Sequence, residues 1–212
     1  MNNREISPNV IKRLPRYYRF LGELYAAGVK KISSAELSHR MGLTASQIRQ
    51  DLNCFGGFGQ QGYGYNTAVL RDEIGTILGF ENSKKIILIG AGNLGRAIAQ
   101  HLNFSEKGFS LIGIFDKKES LIGTSVKNMP IRPISDLDEF CRENHPDSAI
   151  LCVPKDEVFA IAESLIKLNV KGFLNFSHYD ISLNFPGVAV ENIHVGDSLM
   201  RLSYDLNRLN KS

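Results

Sequence analysis

Hydrophobic positions recur with two different periods along this chain, and the change of period divides it. From about Asn9 to Ala27, the residues Val10, Ile11, Leu14, Tyr17, Tyr18, Leu21, Leu24 and Tyr25 follow the three-and-four spacing of an amphipathic helix. Arg13, Arg16 and Arg19 lie between them; Pro15 either kinks the helix or opens its main part, and Gly28 ends it. Ser33, with Glu36 three residues on, is a capping box for a short helix to Met41. Gly42-Leu43 makes a turn, and Thr44, followed by Gln47, caps another helix to about Cys54. Phe55–Tyr65 holds five glycines among aromatics, the pattern of a tight β-hairpin. Helical spacing returns over Thr67–Phe80, and Glu81-Asn82-Ser83 is a short joint.

Beyond the joint, apolar runs alternate with helical stretches. Lys85–Ile89 is a continuous apolar run of the kind a doubly buried parallel strand shows. It leads directly into Gly90-Ala91-Gly92-Asn93-Leu94-Gly95 and then a helix through Leu102. A second run, Phe109 to Phe115, ends at Asp116, about 20 residues past Gly95. Further strands are expected at Met129–Arg132, Ser148–Val153, Val170–Phe176 and Ala189–Val195, with helices from Ser135, over Asp156–Leu168 and over Asp197–Leu209. The predicted fold class is α/β. A winged-helix domain spans residues 1–80, a Rossmann domain with a doubly wound parallel sheet spans 81–195, and a C-terminal helix spans 196–212. Ligand in such a sheet lies over the carboxyl ends of the strands, which gathers Gly90–Gly95, Asp116, Val153, Pro154, Asn175 and Phe176 at one crevice.

The glycine motif sits in the context its chemistry needs. Gly90 permits the tight turn, Gly92 lets a pyrophosphate approach backbone N–H groups, and Gly95 lets helix and strand pack closely. Ala91, Asn93 and Leu94 lie at the helix N-terminus, whose dipole stabilises phosphate. Asp116 can accept hydrogen bonds from a ribose and repel a 2′-phosphate, favouring NAD; Lys117 and Lys118 work against that choice. Another nucleotide such as coenzyme A, or a glycine turn that binds nothing, remains open at this level.

Charge changes the picture of the N-terminal third. The chain carries +3 overall, but residues 1–66 hold nine Lys/Arg against four Asp/Glu, while the remainder holds sixteen against eighteen. Double-stranded DNA is therefore the expected partner of that third, with a protein-interaction module as the alternative. The second capped helix carries Ser46, Gln47, Arg49 and Gln50 where a recognition helix meets base edges. Cys54, Cys141 and Cys152 show no metal-binding spacing and read as free thiols in a reducing compartment, Cys54 as a buried structural one, with an oxidant-sensing thiol near the recognition helix as the alternative. With no apolar run near 18 residues, a cytoplasmic protein without membrane or metal partners is expected.

An NAD-dependent oxidoreductase is the competing class. It needs an acid or base beside the nicotinamide, yet the five histidines form no recognisable catalytic arrangement. No tyrosine has Lys four residues on, and residues 177–212 are too few for a substrate domain. No catalytic residue is therefore expected.

The motifs together carry a family resemblance. Lys12-Arg13-Leu14-Pro15-Arg16-Tyr17-Tyr18-Arg19, Ile32–Leu37, Arg49-Gln50-Asp51-Leu52 and Gly62-Tyr63-Gly64-Tyr65 resemble the N-terminal domain of the Rex redox-sensing repressors. Gly90–Gly95, Phe115-Asp116, Val153-Pro154 and Gly172–Phe176 resemble its nucleotide domain. The resemblance implies a homodimer of winged-helix and Rossmann domains with exchanged C-terminal helices, released from palindromic operators by NADH. It implies that Ser46, Gln47, Arg49 and Gln50 face the major groove, that Gln60, Gln61 and Gly62 form the wing tip, and that Arg13 and Arg16 reach phosphates. Lys117 joins the residues of the NAD(H) site. Members commonly carry basic residues where Gln50 and Gln61 stand, which implies a salt slope shallower by roughly 0.9 per missing contact. Many carry Tyr at the position of His101 and Asp at that of His194, so the two histidines either make the nicotinamide-linked switch depend on pH or are simply exposed or structural.

Overall fold

A computed structural model describes residues 6–56 and 64–210. The chain divides into two compact units, Met1–Asn82 and Ser83–Ser212.

In the first unit, helix α1 (Pro8–Ala26) opens on Pro8, where a missing N–H costs nothing, and runs continuously through Pro15. Pro15 lies on the exposed side of the helix, where the carbonyl left without its N–H can face solvent. Strand β1 (Lys31–Ile32) leads to α2 (Ser34–Met41) and α3 (Ala45–Asn53). Both caps form as their sequences require: Glu36 N–H donates to Ser33 Oγ at 3.0 Å, and Gln47 N–H to Thr44 Oγ1 at 3.1 Å. Gly42, at φ 62°, supplies the left-handed turn between the two helices. Strand β2 (Tyr65–Asn66) pairs antiparallel with β1, and Asn66 caps α4 (Thr67–Ile77) through the Val69 N–H. Leu14, Tyr17, Leu21 and Leu24 of α1 bury against Leu70 and Ile74 of α4 and against Leu37, Met41, Ile48 and Leu52 of the helix pair. The centre of the expected hairpin, residues 57–63, lies outside the described residues.

The second unit is a sheet with helices on both faces. Its elements are β3 (Lys84–Ile89), α5 (Asn93–His101), β4 (Phe109–Asp116), β5 (Ser125–Val126), β6 (Met129–Pro133), α6 (Leu137–Asn144), β7 (Ser148–Leu151), α7 (Lys155–Lys167), β8 (Gly172–Asn175), α8 (Ile181–Asn184), β9 (Ala189–Asn192) and α9 (Val195–Leu209). The sheet order is β5-β6-β4-β3-β7-β8-β9, parallel throughout except for β5 at the edge. Without β5 this is the 3-2-1-4-5-6 order of a dinucleotide fold, whose direction reverses between β3 and β7. Strand β3 explains its continuous apolar run. Ile86 and Leu88 enter one core with Ala99, Ile114 and Ile150, while Ile87 and Ile89 enter the other with Phe115, Phe140, Val158 and Leu165.

Three details differ from the sequence expectation. Strand β7 stops at Leu151, because Cys152, Val153 and Pro154 leave the sheet to form a loop at its carboxyl edge. The short α8 and β5 have too few residues to show a period. Cys54 is exposed rather than buried: it stands at the C-terminus of α3 on the polar side, its thiol donating to the Gln50 carbonyl. Cys141 and Cys152 are the shielded thiols, and burial raises them to about 11 and about 12.

Candidate functional site

The crevice at the carboxyl ends of β3, β4 and β7 is built mostly from backbone. Gly90 has φ 95°, and a Cβ there would lie 2.4 Å from the Cys152 carbonyl oxygen. A Cβ on Gly95 would lie 1.9 Å from the Gly90 carbonyl oxygen, so only glycine lets α5 sit this close to β3. Gly92 is the opposite case, with nothing within 4 Å of its would-be Cβ. It is also the N-cap of α5 and makes no side-chain cap. The first N–H groups of α5 therefore face an open space beside a bare backbone, the arrangement that receives a pyrophosphate.

A cavity of about 210 Å³ continues from this cradle, lined by Ile89, Gly90, Gly92, Asp116, Lys117, Ile134, Cys152, Val153, Pro154, Glu157 and Ile161. It brings together Gly90, Gly92, Asp116, Lys117, Val153 and Pro154 from the expected set. Ala91, Asn93, Leu94 and Gly95 belong to the adjoining turn and helix start. Asp116 is held in place: Ala91 N–H donates to its Oδ2 at 2.6 Å and Lys118 N–H to its Oδ1 at 2.8 Å. The carboxylate faces the glycine turn, and each oxygen keeps further lone pairs for a ribose. The Cys152 thiol, held neutral by burial, leaves that wall apolar.

Asn175 and Phe176 lie outside this cavity wall. Asn175 is fully buried, and its amide donates to the carbonyl of Tyr179 and to Asn192 Oδ1 while its oxygen accepts from the Ser177 backbone and hydroxyl. It fixes the loop that follows β8. Phe176 packs against the core shared by Ala91 and Ile150. His194, the N-cap of α9, lies 3.0 Å from the Ser177 carbonyl through Nε2 and stacks on His178 with ring centroids 5.2 Å apart. A carbonyl only accepts, so that nitrogen carries the proton. His101 is exposed at the end of α5.

In the first unit, α3 has two faces. Ile48, Asp51 and Leu52 are buried, whereas Ser46, Arg49, Gln50 and Asn53 form one exposed stripe at helical spacing. Arg49 also donates to Ser34 Oγ at 3.1 Å. Gln47 turns inward, its amide 3.4 Å from Asp51. Arg13 grips both Asp51 oxygens, at 2.6 and 2.8 Å, and the Tyr17 hydroxyl donates to the same carboxylate at 2.9 Å. Arg16 donates to the Met41 carbonyl. Both arginines thus brace α1 against the helix pair. Gln60, Gln61 and Gly62 fall outside the described residues.

Similarity to known proteins follows the same two units. Residues 5–53 match the family model described as "Putative DNA-binding protein N-terminus", and residues 81–179 match the CoA binding domain model. A redox-sensing transcriptional repressor Rex from Caldanaerobacter subterraneus subsp. tengcongensis is 50% identical over 95% of this chain and 90% of its own. A Rex from Clostridium acetobutylicum is 46% identical over 99% and 97%. The chain belongs to the Rex family of redox-sensing transcriptional repressors.

Solved Rex-family structures agree over both units. RSP in complex with β-NAD+ and operator DNA superposes with a TM-score of 0.90 at 46% identity, covering 97% of this chain and 94% of that one. RSP in complex with β-NADH gives 0.88 at 43%, covering 97% and 96%. Within this Rex-family frame, sequence reasoning missed Glu157, which enters the crevice from the first turn of α7, and Asn53, which extends the exposed stripe of α3. The helical period from Ser46 reaches Asn53 and could have found it; nothing local points Glu157 toward Asp116.

Proposed function

We propose that this chain is a transcriptional repressor that reads the NADH/NAD+ ratio. As a homodimer it holds palindromic operator DNA, and NADH bound in the crevice releases it. The observation that carries this reading is one chain combining a cap-free α5 N-terminus over Gly92 with an α3 that exposes Ser46, Arg49 and Gln50. The Rex-family relative solved with β-NAD+ and operator DNA supports the same pairing. Residues 1–80 are the winged-helix DNA-binding domain, 81–195 the Rossmann domain and 196–212 an exchanged helix. Ser46, Arg49 and Gln50 read base edges. Gln47 is positioned by Asp51. Arg13 and Arg16 reach phosphates beside this face, Arg13 from its bonds to Asp51 of α3 and Arg16 from its bond to the Met41 carbonyl.

In the crevice the α5 N-terminus and the glycine turn hold the pyrophosphate, and Asp116 accepts from the adenosine ribose. The Asp116 carboxylate on this rim disfavours the 3′-phosphate of coenzyme A, which supports NAD(H) over a coenzyme A binder. The nicotinamide supplies the signal, since its two forms differ by a hydride and one positive charge. Asn175 keeps the loop after β8 rigid enough to register that difference. A tenfold preference per site is about 1.4 kcal/mol, and two sites in a dimer double it. Nothing in the reading calls on catalysis, a metal ion or a membrane, and its place is the cytoplasm.

The deciding experiment is fluorescence anisotropy of a labelled palindromic operator at fixed salt, with protein alone, with NAD+ and with NADH. Release by NADH and retention with NAD+ is the expected result. Operator binding indifferent to both dinucleotides would overturn the redox reading. Absence of binding, including to a random-site pool, would return the first unit to protein interaction.

A further inference from the structure

Asp116 is followed by two lysines, and the three together give contradictory instructions about a 2′-phosphate. The acid repels it, whereas a cation next to the acid is what accommodates it in NADP-binding folds. The crevice geometry resolves the contradiction through a residue some 40 positions away. Lys117 Nζ lies 2.7 Å from Glu157 Oε1, and both side chains line the cavity beside Asp116. The Glu157 side chain is 24% exposed and the Lys117 side chain 67%, so the carboxylate is the anchored partner and the lysine bends to it. Hydrogen bonding to Glu157 raises the Lys117 pKa, so the pair stays ionised. Lys118 contributes its backbone N–H to Asp116, and it is not part of the cavity wall.

We propose that Glu157 sets the cofactor choice of this site by holding Lys117 away from the position of a 2′-phosphate. It deepens the NAD(H) reading above and rests on it. A ribose phosphate carries nearly two negative charges at neutral pH. At this rim it meets the Asp116 carboxylate and a Lys117–Glu157 ion pair whose charges cancel, so the three side chains leave a net negative charge and no uncommitted lysine on the cavity wall. A free 2′-hydroxyl suffers no such repulsion and can donate to Asp116. Glu157 acts through Lys117 and is a positioning residue. Because a pair this exposed adds little to folding, its consequence falls on ligand selection.

The test titrates the full chain with NADH and with NADPH, following nicotinamide fluorescence, in wild type, Glu157→Gln and Glu157→Gln combined with Lys117→Ala. Wild type should prefer NADH. Glu157→Gln should shift the ratio of the two dissociation constants about tenfold toward NADPH, and adding Lys117→Ala should abolish the shift. An unchanged ratio in Glu157→Gln, or a shift that survives loss of Lys117, would overturn the proposal while NADH binding leaves the site reading standing. A wild type that binds neither dinucleotide would remove both.

Discussion

Asp51 is almost fully buried, yet it accepts from Arg13, Tyr17 and Gln47 and so ties α1 to α3. Burial alone would raise its pKa; the bonds from Arg13, Tyr17 and Gln47 outweigh that and hold it below the ordinary carboxylate value. The sign of the linkage follows. Its contribution to stability is complete above the unfolded-state pKa and is lost as pH falls through the lower folded value. Asp51→Asn should cost about 3 kcal/mol in urea unfolding at neutral pH and flatten the acid limb of the stability profile. An unaltered urea midpoint would show that the cluster is not a brace. The glycines make a second residue-scale contrast. Gly92→Ala should fold normally and lose NADH, since its Cβ has room in the protein but stands where the pyrophosphate arrives. Gly95→Ala should lower the melting temperature and NADH binding together, because its Cβ strikes the Gly90 carbonyl. Thermal melts beside NADH titrations separate the two.

At the scale of elements, α3 and α5 present their functional groups for different reasons. Helix α3 exposes side chains: Thr44 and Gly42 fix where it begins, and Ile48 and Leu52 fix which face is hidden. Arg49→Ala should therefore weaken operator binding by about 1–3 kcal/mol in anisotropy while NADH affinity stays as in wild type. Normal operator affinity in that variant would displace α3 as the reading element. Helix α5 exposes backbone, and what matters is that Gly92 offers no side chain to compete for its first N–H groups. The capping boxes, the glycine turn and the exposed stripe were all legible from spacing, because each depends on residues within a few positions. The Arg13–Asp51 and Lys117–Glu157 pairs were not, since each joins residues 38 or 40 positions apart. Nor does spacing show that Arg13 is committed to Asp51, while the exposed Arg16 makes one bond to the Met41 carbonyl.

For the molecule as a whole, α9 stands out among the described residues by its exposure. Every residue from 195 to 209 is exposed, including Leu199, Met200, Leu202, Leu206 and Leu209. An apolar helix face of this length is what a second copy of the chain would cover. If the proposed homodimer forms through α9, removing residues 195–212 should leave a monomer in sedimentation velocity and sharply reduce affinity for a palindromic operator. A truncated chain that still sediments as a dimer would place the interface elsewhere. Spacing along the chain carried the two periods, the caps, and a strand–glycine–helix–strand–acid unit suited to a nucleotide. Those features follow from local sterics and from which residues avoid water. Only the tertiary structure decided that Asn175 braces a loop, that Arg13 belongs to Asp51 and that Glu157 meets Lys117. Such pairings arise when chain crossovers bring distant polar groups side by side, and one-dimensional spacing carries no trace of that proximity.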